Sequence, residues 1–166
     1  MKTQHPIQKI QPTPLDRCLD AINVVLLLIF IGTTYYYYGQ LPETIPTHFN
    51  IAGEPDAYGD KITLFFLLGI GGFVFALLYY FQNKPHLFKH QITITAENIE
   101  EQYTKAIRMM RVLNTFTILL FFYIQYQTIQ TALGKEEGLG QYFIVFVVIG
   151  GLLPLLTFVY SSKKKS

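Results

Sequence analysis

Residues 20–38 read DAINVVLLLIFIGTTYYYY. Apart from Asp20 at its edge, this run carries no acidic or basic side chain. It is close to the ~20 residues that cross ~30 Å of hydrocarbon at 1.5 Å per residue. Three further runs, at about 62–81, 112–132 and 141–160, share the pattern and contain no Lys, Arg, Asp or Glu. Between them lie an outer segment at 39–61 and a second segment at 82–111. The composition agrees: 14% of residues are charged, against roughly 25% in soluble domains. The expectation is an all-α integral membrane protein, one domain over 1–166 with four transmembrane helices arranged as a four-helix bundle.

The basic residues set the expected orientation. Lys2, Lys9 and Arg17 precede the first run, Lys84, Lys89, Lys105, Arg108 and Arg111 fall between the second and third, and Lys163, Lys164 and Lys165 end the chain. Only Lys61 and Lys135 fall on the other side. Under the positive-inside rule both termini and residues 82–111 are cytoplasmic, and 39–61 faces outward. The first run is too long for a secretory h-region and ends in Tyr35–Tyr38 rather than a cleavage site, so it reads as a retained helix. Its tyrosines suit the interfacial belt. Cys18, the single cysteine, has no partner for a disulfide.

Within the runs, Asp16 and Asp20 flank the start of the first helix, where carboxylates favour the helix dipole. Gly69, Gly71 and Gly72 in the second suggest close helix approach. Residues 90–95 alternate briefly like a strand. Thr95 suits an N-cap with Glu97 in the following turn. The periodicity of Ile99, Tyr103 and Met110 predicts an amphipathic helix running into the third span. Its basic end, Arg108 and Arg111, is placed to meet anionic headgroups; a role with nucleic acid is not expected. The third span is the most polar, with Asn114, Thr115 and Thr117 toward one end and Gln125, Gln127 and Gln130 toward the other. Polar groups in hydrocarbon face other helices or the interface. Residues 134–140 read as a short connector, and Pro154 predicts a kink in the fourth span.

The outer segment is the most deliberate. Residues 41–61 read LPETIPTHFNIAGEPDAYGDK, far longer than a plain helix connector of about 2–8 residues. Pro42, Pro46 and Pro55 restrict the backbone, while Gly53, Gly59 and Asn50 tolerate positive φ. Asp60 suits an N-cap for the second helix, and Phe49 and Tyr58 can plug into the interface. The expectation is a compact, self-packed omega-type loop.

This stretch resembles the LPxxIPxHFNxxGxxDxxxxK signature of a bacterial membrane domain of unknown function, also found at the N-terminus of SdpI-type immunity proteins. By position the pattern falls on Leu41, Pro42, Ile45, Pro46, His48, Phe49, Asn50, Gly53, Asp56 and Lys61. The resemblance implies a multi-pass protein of the bacterial cytoplasmic membrane with a binding, immunity, signalling or accessory-subunit role. SdpI-type proteins continue into further helices, whereas this chain shows four runs, so immunity does not transfer automatically.

Three uses of the segment remain open on the residues alone. It is a recognition surface for a peptide or another membrane subunit, or a cap whose residues only satisfy one another. Alternatively, His48 with Glu43, Glu54 and Asp56 forms a metal-binding enzyme site, although the spacing matches no standard motif. A small transporter or channel subunit, lined by the third-span glutamines, is the other alternative; the lack of a mid-membrane carboxylate argues against it. A non-enzymatic protein without cofactor, in contact with membrane lipid, is the expectation.

Overall fold

A computed structural model of the chain describes residues 6–88, 90 and 92–163. It is mostly helical, with four helices long and apolar enough to cross a membrane. They are α1 (Pro14–Tyr38), α2 (Thr63–Gln82), α3 (Ile99–Ala132) and α4 (Phe143–Lys163). Between α1 and α2 lies an antiparallel hairpin, β1 (Thr44–Phe49) and β2 (Pro55–Asp60). The all-α and omega-loop expectations are therefore corrected at 44–60.

The helices outrun their apolar runs wherever a local signal lets them. α1 begins at Pro14 rather than near residue 20 because Thr13 and Asp16 form a reciprocal capping box and proline occupies the first turn. Asp16 thus lies inside the helix. α3 absorbs much of the 82–111 segment in one unbroken helix of 34 residues, roughly 50 Å long, as the amphipathic pattern predicted. Its N-cap position is Asn98, three residues later than the expected Thr95. The Asn98 side chain accepts from the Thr95 N–H and donates to the Thr93 carbonyl. The described residues among 90–95 form no strand.

α3 is the hub. α1 and α2 each meet it far more than they meet each other, and α4 packs chiefly on α3. The arrangement is a central helix, α3, against which α1, α2 and α4 each pack. Phe30, from α1, and Ile118, from α3, are fully buried at the middle. Among the glycines of α2, Gly71 is the close-approach position, because a Cβ there meets the Phe30 ring and Phe121. Gly69 and Gly72 face open space. The outward surfaces of α2 and α4 expose Phe66, Phe73, Leu152 and Leu156, the apolar exterior a membrane span requires.

Candidate functional site

The hairpin is built by its signature residues. Leu41 and Ile45 are buried with Leu64 of α2 and Ile129 of α3, and Tyr37, Ala132 and Leu133 pack around them. An isolated two-stranded hairpin is marginal in water, so this apolar foot anchors it. Pro46 is buried as well, and both strands are edges, which tolerates a missing N–H. The ladder pairs Thr44 with Asp60 and Pro46 with Tyr58, then slips by a bulge around Thr47 before His48 meets Ala57.

Asn50 makes the turn. Its Oδ1 accepts from the N–H groups of Ala52 (2.9 Å) and Glu54 (3.0 Å), and its Nδ2 donates to the Glu54 carboxylate (3.0 Å). Gly53 sits at φ +83°, a conformation that favours glycine. Phe49 is half-buried beside this turn. Asp60 ends the hairpin by accepting from the Ile62 N–H at 2.8 Å. The helix starts at Thr63 without a side-chain cap, which corrects the N-cap expectation.

Residues 134–140, expected to be a plain connector, complete the cap. The Leu139 N–H donates to the Gly53 carbonyl at 2.8 Å, and Leu139 itself is buried. Two α3 side chains hold this second loop in place. Tyr123 donates to the Leu139 carbonyl (2.6 Å), and Gln127 donates to the Gly138 carbonyl (3.1 Å). Of the other α3 glutamines, Gln125 donates to Thr34 of α1 in the buried interior. Gln130 is buried nearby, its carbonyl accepting from the Lys135 N–H. Gln125 thus ties α3 to α1, while the Gln127 side chain and the Gln130 backbone carbonyl tie it to the second loop.

Lys61 clamps the hairpin's base. Its Nζ donates to Glu43 at 2.9 Å and lies 5.2 Å from the centre of the Tyr38 ring. The hydrogen bond to Glu43 raises the Lys61 pKa above its ordinary value. His48 and Asp56 approach to 2.5 Å across the strands, yet their side chains are 69% and 43% exposed. Pro42 is exposed too. The metal candidates do not converge: Glu54 is committed to Asn50, and among the described residues no three His, Cys, Asp or Glu side chains are gathered for an ion.

The opposite end carries a second polar constellation. Arg111, 6% exposed, makes a two-pronged contact with Asp20, Nε to Oδ1 at 2.8 Å and Nη2 to Oδ2 at 3.0 Å. Asp16, 2% exposed, accepts from Arg108 Nε at 3.1 Å. Deeper along the seam, Asn23 donates to the Arg111 carbonyl and accepts from Thr115, while Asn114 donates to the Phe75 carbonyl of α2. Gln82 reaches Asp20 from the end of α2. Arg111 is thus an internal tie, not the headgroup ligand expected from sequence. The signal was present: Asp16 and Asp20 sit one turn apart on α1, Arg108 and Arg111 nearly so on α3. Nothing local indicated that the two pairs meet.

Fold and site together define a multi-pass membrane-type helical protein with a β-hairpin cap. The family described as "Domain of unknown function (DUF1648)" matches residues 25–72, which spans most of α1, the hairpin and the first half of α2. The chain is also similar to a protein of Archaeoglobus fulgidus described as uncharacterized, 38% identical over 61 residues. That match covers 35% of this chain and 33% of the relative. No solved structure matches.

Proposed function

We propose that the chain is a non-catalytic membrane protein of SdpI-like type that works by recognition at its hairpin cap, in an immunity, signalling or accessory-subunit role. The observation that carries this reading is how the signature residues divide. Leu41, Ile45, Pro46, Asn50 and Gly53 are consumed in building the cap. His48, Asp56 and Pro42 are displayed on it, with Tyr58 and Ile51 at 60% and 88% exposure beside them. A rigid platform that presents a few polar and apolar groups is the form of a binding surface. Glu54, Glu136 and Glu137, with Lys135 among them, border a depression of about 380 Å³ between hairpin and second loop, whose net acidic character suits a basic peptide or the basic face of another membrane subunit.

In this reading the protein lies in the bacterial cytoplasmic membrane, the cap outside, both termini and residues 82–111 inside. Two measurements test it. In intact cells, a membrane-impermeant maleimide labels His48→Cys in a Cys18→Ser background and, in the parent protein, leaves Cys18 unlabelled; the reverse pattern overturns the orientation. The combined variant His48→Ala, Asp56→Ala and Tyr58→Ala abolishes complementation of a deletion strain while its thermal unfolding stays near that of the parent. Full complementation by that variant removes the cap as the recognition surface.

A further inference from the structure

Helices α3 and α4 touch tightly at one level and part at the next. Gly150 lies so close to the Phe116 ring that any Cβ would meet it. Phe146 packs on Phe116 and Tyr123 at centroid distances of 5.6 and 5.8 Å. One turn further toward the arginine end, α4 carries Pro154, which interrupts the helix hydrogen bonding and turns a helix aside. From that level a cleft of about 400 Å³ opens between the helices, walled by Met109, Val112, Pro154 and Phe158 and ending at Lys105 and Arg108. Thr157, also in the wall, donates its hydroxyl to the Pro154 carbonyl at 2.9 Å and so is satisfied within its own helix.

We infer that this cleft binds one anionic phospholipid, an acyl chain lying between α3 and α4 and the headgroup phosphate meeting Arg108 and Lys105. The inference rests on reading the four helices as membrane spans and is independent of the cap. At that depth the wall is apolar apart from the Thr157 hydroxyl, already bonded within α4, too few polar partners to hold water, so hydrocarbon fills it. Residues 105–112 extend the cleft about 10 Å along α3, so its apolar floor and charged mouth lie along the direction of a lipid molecule. The charge at the mouth selects the headgroup. Arg108 keeps 37% of its side chain exposed while its Nε and Nη2 hold Asp16 and Nη2 also reaches Thr13. The edge of its guanidinium not turned to α1 suits a phosphate oxygen. Lys105 is held by Glu101 at 2.9 Å in a partly exposed i,i+4 pair, the kind that contributes little and rearranges readily. Asp16 and Glu101 offset part of the positive charge, so the preference for anionic lipid is moderate.

The test uses the full chain in detergent, with retained lipid read by native mass spectrometry and stability by thermal unfolding. The probes are phosphatidylglycerol, phosphatidylcholine and soluble glycerol phosphate. Phosphatidylglycerol is retained and raises the unfolding temperature more than phosphatidylcholine, and glycerol phosphate does neither. Lys105→Gln lowers the preference for phosphatidylglycerol about fivefold, the effect of one basic residue at an anionic surface. Val112→Trp fills the cleft and expels both lipids, while hydrogen-exchange protection of the Leu139 amide in the distant cap reports that the fold is intact. Equal retention of the two lipids by the parent protein overturns the inference. So does phosphatidylglycerol retention by a folded Val112→Trp variant, or a lipid-free dimer formed through α4.

Discussion

At the hairpin end, the cap is held by an apolar foot, by backbone hydrogen bonds and by ion pairs that remain wet. At the arginine end, the same helices are joined by Asp16 and Arg111, taken out of solvent, with Asp20 and Arg108 half-buried beside them. Leu41 and Ile45 are 5% and 0% exposed, whereas the His48–Asp56 pair is mostly open. Asp16 and Arg111 are nearly inaccessible. The contrast shows where side-chain chemistry is free to vary. Exposed pairs contribute up to about 1 kcal/mol, while a buried pair broken on one side leaves an uncompensated charge. The cap can change its displayed groups without unfolding; the arginine end cannot.

The strongest test of that contrast is Arg111→Leu. It takes both prongs from Asp20, whose side chain is 30% exposed, and one of two guanidinium neighbours from buried Asp16; the expected loss is about 1.5–3 kcal/mol, read by equilibrium unfolding in bicelles. Asp20→Asn with Arg111→Gln loses less than the sum of the single changes, because the two side chains act as a unit. If Arg111→Leu unfolds like the parent, the two ends are not differently held.

Gly138→Ala comes next. A Cβ at residue 138 runs into the Gly53 carbonyl, which belongs to backbone and cannot swing away. A strain of about 1–3 kcal/mol is expected, confined to the cap and visible as lost hydrogen-exchange protection at Leu139. The α1–α3 seam keeps its protection. Asn50→Ala removes three side-chain hydrogen bonds from the exposed turn and costs about 1 kcal/mol, with faster exchange at the amides of Ala52 and Glu54.

His48→Ala is expected to cost less than about 1 kcal/mol, so a stable protein with impaired function separates display from support. Lys61 provides the smallest effect and a sign. Its pKa is raised by Glu43, so its contribution is complete below the ordinary lysine range and disappears only as pH climbs through the raised value. Unfolding midpoints of the parent and of Glu43→Gln therefore differ by a constant amount from neutral to mildly alkaline pH and converge at strongly alkaline pH.

The helices were legible because hydrophobic runs and capping chemistry are local. The absence of charge beyond Asp20 in residues 20–38 predicts a span, and the periodicity of Ile99, Tyr103 and Met110 predicts the long α3. Thr13, Pro14 and Asp16 carry the true start of α1 in plain view, yet an apolar-run criterion begins too late. The hairpin was less legible. Its strands alternate imperfectly, carry prolines and slip register at Thr47, so the pattern suggested only a stiff loop. Residues 134–140 carried no signal of their role in the cap, because that role lies in one backbone contact with Gly53.

The sequence by itself determined the number of apolar helices, the unbroken course of α3 and the identity of the special segment at 41–61. Each depends on interactions between residues close in the chain or on the cost of placing charge in hydrocarbon. The tertiary structure alone decided which polar residues are partners. Asp20 and Arg111 are ninety-one positions apart, and Gly53 and Leu139 meet only when α3 brings the second loop beneath the hairpin. Pairing of that kind has no local periodicity, because it depends on how three helices pack around one.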